Sequence, residues 1–157
     1  MGTGTETELE LNRAKTQTAI ALSPDGTQLA LKHADGRDGV VEITPARGGP
    51  TREVYRYSGL VGHDRMAITW GHDGRYLIFS TYDLQGNATG YMRVSADGRR
   101  PELIGIGTSW DWQIQSVRSF GPLVVHPSGR QIVYTMRDGV SGVWALETFL
   151  PAAAAKK

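Results

Sequence analysis

The 157-residue chain contains no cysteine, which excludes both a disulfide framework and a cysteine-zinc site. No apolar run approaches the ~20 residues that a membrane-spanning helix needs. Charge of one sign is also missing. Seventeen Lys and Arg face sixteen Asp and Glu, a formal net charge of +1. Such a balance creates no strong field for nucleic acid or for an anionic membrane. The first residues, Met1-Gly2-Thr3-Gly4-Thr5-Glu6, offer no basic stretch followed by an apolar core, so a signal peptide is not expected. Taken as a complete chain, the protein is expected in the cytoplasm; taken as a fragment, its address is unknown. No stretch keeps a helical period, and Gly and Pro interrupt the chain often.

What is present is a segment that occurs three times: Leu22-Ser23-Pro24-Asp25-Gly26, Trp70-Gly71-His72-Asp73-Gly74 and Val125-His126-Pro127-Ser128-Gly129. The glycines are spaced by 48 and 55 residues. A period of this size is the mark of a stacked repeat architecture. Each copy opens with an apolar strand, at 19–22, 66–70 and 122–125. A tight turn follows. Pro24 pre-sets φ, Asp25 suits the second turn position, and Gly26 accepts a positive φ; together they specify a type I turn closed by a glycine bulge. The second strands, Leu29-Ala30-Leu31, Leu77-Ile78-Phe79 and Ile132-Val133-Tyr134, are apolar enough to be covered on both faces. Third strands are expected at 40–44, 89–94 and 143–147, and fourth strands at 52–57 and 102–106. Four-stranded units repeated in this way are the blades of a β-propeller.

The expected fold is therefore all-β, about three four-stranded antiparallel meanders forming part of a propeller. The blades are placed at roughly 17–59, 60–107 and 119–150 within a single domain. Residues 6–12 alternate polar and apolar side chains, as a half-exposed edge strand does. They are the candidate fourth strand of the third blade. Residues 151–157 (Pro-Ala-Ala-Ala-Ala-Lys-Lys) are expected to be a disordered tail.

The Ser23-Pro24-Asp25-Gly26 turn between two apolar strands resembles the WD-like repeats of TolB-type bacterial β-propellers. The end, from Gly142-Val143-Trp144 to Leu150-Pro151, is similar to the last blade of such proteins. The resemblance spans roughly residues 17–150. It implies the C-terminal three-blade portion of a larger propeller protein, acting as a binding platform. The family carries no common catalytic residues to transfer.

The sequence carries no recognisable catalytic signature. No Gly-x-Ser-x-Gly elbow occurs. The histidines His33, His63, His72 and His126 form no His-x-x-x-His pair, and turn-capping or surface roles are favoured over a metal site. Asp35, Asp38, Asp83 and Asp138 sit in glycine-rich turns without the fuller pattern of a calcium loop. No catalytic residue, metal or cofactor is expected, and the chain is read as no enzyme. Two links feed the first strands of the second and third copies, and in propellers such links lie at one mouth of the channel. They hold His63, Asp64, Arg65, Trp110, Asp111, Trp112 and Arg118, the expected partner-binding residues. Aromatics in long loops suit binding, although the competing reading packs the tryptophans between blades.

The function expected first is a non-catalytic protein- or peptide-binding module. The alternative is a propeller enzyme, or a sugar- or small-ligand-binding propeller, using acidic residues such as Asp64 and Asp111 at the channel mouth. Closed propellers have 4–8 blades, and three leave unmatched ends. A homodimer completing a six-bladed ring is the expected remedy.

Overall fold

The computed structural model describes residues 17–58, 67–82, 88–104, 119–137 and 141–147. These form eleven strands and no helix. In chain order they are β1 (Gln17–Leu22), β2 (Gln28–Asp35), β3 (Asp38–Pro45), β4 (Arg52–Ser58), β5 (Ile68–Trp70), β6 (Tyr76–Tyr82), β7 (Ala88–Ser95), β8 (Glu102–Ile104), β9 (Ser119–Val125), β10 (Gln131–Arg137) and β11 (Ser141–Glu147). The repeats alone supply all eleven. The candidate edge strand at 6–12 and the tail at 151–157 lie outside the described residues.

The strands make three antiparallel sheets, each in simple chain order: β1-β2-β3-β4, β5-β6-β7-β8 and β9-β10-β11. Three such meanders, with no barrel closed among them, are blades of a partial propeller. Each turn between a first and a second strand is built alike. Gly26, Gly74 and Gly129 take φ of 71°, 68° and 69°. Their amides donate to Ser23 O, Gly71 O and His126 O at 2.8–3.0 Å. This is the type I turn with a glycine bulge that the sequence specifies. In the first two copies the residue before the turn glycine caps the turn: Asp25 Oδ1 accepts from Thr27 N at 3.0 Å and Asp73 Oδ1 from Arg75 N at 3.0 Å. In the third copy His126 Nδ1 accepts from Ser128 N at 3.1 Å, the turn-capping role expected of a histidine there.

Strand parity divides the core in two. On the first blade Ala30, Val41 and Ile43 point toward the second blade, where Trp70, Leu77, Phe79 and Val94 meet them. The second blade's opposite face carries Ile78, Tyr91 and Ile104, which pack on Leu123, Ile132 and Tyr134 of the third. Rings lock both seams. Tyr57 stacks on Phe79 at 5.9 Å, and Tyr91 meets Tyr134 edge-on at 5.6 Å. The blades touch chiefly through their innermost strands, β1 against β5 and β5 against β9.

The run Leu77-Ile78-Phe79 is fully buried, because blades lie on both sides of β6. The matching run on β10 is not. Ile132 and Tyr134 are buried, but Val133 between them is 39% exposed. Coverage on both faces was expected of all three runs. It fails on the third because no described blade stacks beyond it.

Candidate functional site

The three repeated turns stack at one end of the blades, and each leans on the next. Pro24 of the first turn reaches over Gly74 of the second, its Cδ 3.9 Å from where a Cβ on Gly74 would stand. His72 of the second turn fills the space over Gly129 of the third, where a Cβ would fall 2.2 Å from the imidazole. The residue after the first turn position thus acts as a knob, and the following turn's glycine as its socket. The positive φ favours glycine at both positions, and at Gly129 only glycine leaves room for the knob as well.

Between the first and second turns this stacking leaves a cleft of about 350 Å³. The first turn contributes Ser23, Asp25 and Gln28, and the second Trp70, His72 and Asp73. Trp70 is 5% exposed and spends its Nε1–H on Ala21 O at 3.0 Å, so it forms a fixed wall. Asp25 Oδ1 accepts from Ser23 Oγ at 2.6 Å and from Thr27 Oγ1 at 2.8 Å, besides the Thr27 amide. The Ser23 hydroxyl first, and the Thr27 amide and hydroxyl after it, hold the Asp25 carboxyl below the usual carboxylate range. Asp25 therefore stays ionised and acts as an acceptor, not as a proton donor. The cleft is rich in acceptors: two carboxylates, the Gln28 amide oxygen and the His72 ring. Such a lining suits a ligand rich in hydroxyl groups. Among the described residues no three His, Asp or Glu side chains cluster closely enough to hold a metal ion.

The group whose chemistry burial alters most lies outside the cleft. Lys32 of β2 is fully buried in the seam between the first two blades. Its Nζ donates to the Ser80 carbonyl and sits 5.4 Å from the Phe79 ring and 5.6 Å from that of Tyr57. Loss of water around the ammonium pushes its pKa down to about 7. Its neighbour His33 points to the opposite side of the sheet, with Nδ1 3.0 Å from Ala34 O and Nε2 3.1 Å from Glu42 Oε2.

His63, Asp64, Arg65, Trp110, Asp111, Trp112 and Arg118 all lie outside the described residues, so the structure does not place them. The links that hold them leave from Ser58 and Ile104, at the end of the sheets opposite the stacked turns. The cleft was not singled out from sequence, because Asp25 and Asp73 read as ordinary hairpin chemistry. A signal was present nonetheless: Asp25 and Asp73 stand at the same repeat position, and equivalent repeat positions gather at one rim.

No protein-family model matches this sequence, and no curated protein matches it. Solved structures do. TolB from Acinetobacter baumannii superposes with a TM-score of 0.61 at 14% identity, over 83% of this chain and 30% of its own. A GH74 enzyme from Niastella koreensis gives 0.62 at 17%, over 84% and 21%. An oligogalacturonate lyase in complex with manganese gives 0.62 at 10%, over 88% and 41%. The chain therefore spans well under half the length of each, and at these identities the likeness shows the fold alone. It does overturn one expectation. Reading the chain as no enzyme rested on the missing catalytic constellation and on the usual binding role of such propellers, yet several of the structures it resembles are enzymes, a periplasmic gluconolactonase from Pseudomonas aeruginosa and a puromycin hydrolase among them. A fold shared with so many enzymes gives no ground for excluding catalysis. Among the described residues no helix is long and apolar enough to cross a membrane.

Proposed function

We propose that these blades belong to a propeller that binds a small polar ligand of the sugar class, with the cleft between the first two repeated turns as the site. The observation that carries this reading is the cleft itself. Its volume of about 350 Å³ falls within the ~300–1,000 Å³ of small-molecule sites. Its walls pair a fixed indole with carboxylate, amide and imidazole acceptors. The structural neighbours lend support, since an oligogalacturonate lyase and a gluconolactonase share the fold. TolB-like kinship of the repeat belongs to the same proposal. The rival reading, a protein- or peptide-binding module, is separated from it by the test.

The test is a titration of ¹⁵N-labelled protein with oligogalacturonides, gluconate and a neutral oligosaccharide, with an unrelated peptide pool as control. Saturable shifts are expected at the Trp70 indole N–H and the amides of 72–74. Asp73→Asn and His72→Ala are each expected to weaken binding at least tenfold while leaving circular dichroism unchanged. Saturation by peptides and by no sugar overturns the proposal in favour of the binding module. Sugar-induced shifts confined to Trp110 and Trp112 overturn the assignment of the site to this cleft.

A further inference from the structure

The two outer faces of this three-blade arc are complementary. Counted from the turn glycines, Val124 and Val133 of the third blade occupy the positions of Thr69 and Ile78 in the second and of Ala21 and Ala30 in the first. In the first two blades those positions face the next blade; Ala30 and Ile78 are fully buried there. In the third they have no described neighbour: Val124 is 60% and Val133 39% exposed. At the other end Ile20 and Leu22 occupy the positions of Ile68 and Trp70, which are buried in the second blade, and of Leu123 in the third. They are 53% and 57% exposed.

The turns repeat this mismatch. Gly74 and Gly129 each receive a knob from the preceding turn, whereas Gly26 has no neighbouring atom within 4 Å of where its Cβ would be. Pro127 stands at the knob position of the third turn and is exposed. The chain thus carries one empty socket and one unused knob. Farther along the outer side of the first blade Leu31 and Val40 are already buried. The open surface is therefore the innermost strand and its turn, the same strip through which the three blades meet one another.

We propose that two copies of this chain join head to tail in a six-bladed ring, the third blade of each stacking on the first blade of the other. A second copy is the partner that the geometry itself supplies. It brings a Val124 and Val133 face to Ile20 and Leu22, and a Pro127 to Gly26, and the exchange is repeated on the far side of the ring. Six blades fall within the 4–8 of closed propellers, and a two-fold axis along the channel leaves neither end unmatched.

Sedimentation equilibrium tests this on the full chain. The expected mass is twice the 17.1 kDa of one chain, with a thermal midpoint that rises with protein concentration. Leu22→Asp and Val124→Asp lie on opposite sides of each junction, so each is expected to weaken association at least tenfold with unchanged circular dichroism. Should either variant fail to fold, cross-linking decides. In this cysteine-free chain the pair Thr27→Cys and Ser128→Cys, two blades apart within one copy, is expected to yield a covalent dimer on oxidation. A monomer at every concentration overturns the proposal. So does a dimer sensitive to only one of the two aspartates, the signature of a same-to-same contact. A mass that climbs beyond the dimer, or oxidation that leaves only monomer, overturns it as well.

Discussion

Gly26 and Gly129 share a backbone conformation but not an environment, and this separates two costs that glycine substitutions usually merge. At Gly26 an added methyl meets open space, so Gly26→Ala is expected to cost only the left-handed strain, about 1–2 kcal/mol. At Gly129 the same methyl collides with His72, which must leave its place. Overpacking adds to the strain, and Gly129→Ala is expected to cost roughly 2–4 kcal/mol. Urea denaturation at a concentration where the chain is monomeric measures both; equal losses would show that His72 yields freely. At this scale much was legible in sequence. Pro24, Asp25 and Gly26 fix a turn by local chemistry alone. The knob role of His72 was not legible, because it depends on a glycine 57 positions away.

Lys32 shows what a strand position can conceal. Its repeat equivalents are Ser80 and Thr135, and only stacking reveals that the amine is sealed against the aromatic rings of the first seam. Because its folded pKa is pushed down to about 7 from 10.5, the unfolded chain holds a proton between those values that the folded chain has lost. Stability is therefore expected to rise as pH climbs from about 7 toward 10, with a slope of at most about 1.4 kcal/mol per unit from this group. Tyr76 and Tyr134, raised by burial, act against this trend only near and above pH 10. Lys32→Met is expected to flatten the slope, checked by urea midpoints at pH 7, 8 and 9; an unchanged slope would show that the amine is hydrated. Ser80 offers a second check on the same seam. Its Oγ accepts from the buried Ala67 amide at 3.1 Å, so Ser80→Ala is expected to cost about 1–3 kcal/mol in thermal or urea unfolding. Strand existence and pairing were readable from alternation and turns. What buries each strand was not, which is why Val133 was expected to be covered.

Across the whole molecule the far-ultraviolet circular dichroism is expected to show a single β-type minimum, and a helical double minimum would contradict the eleven strands. Truncation before residue 119 is expected to uncover Ile78, Tyr91 and Ile104, to increase binding of a hydrophobic dye, and to reduce the cooperativity of unfolding. The architecture was legible because the repeat is written three times. The candidate cleft was not, since it exists only where two copies of the turn meet. The stacked turns also set how this chain can vary in length. Side chains alternate sides with every residue along a strand. One residue added between a turn glycine and the end of its second strand would therefore exchange the side facing the previous blade with the side facing the next. Both seams would be miswritten by a single insertion. The second strands accordingly begin two residues after each glycine in all three copies. Of the seven-residue difference between the two spacings, five residues fall between β8 and β9 and two in the connection from β6 to β7, an even number that keeps the parity of the sheet. Length can drift between blades, where no parity is kept, while within a blade the reading frame of the sheet is fixed.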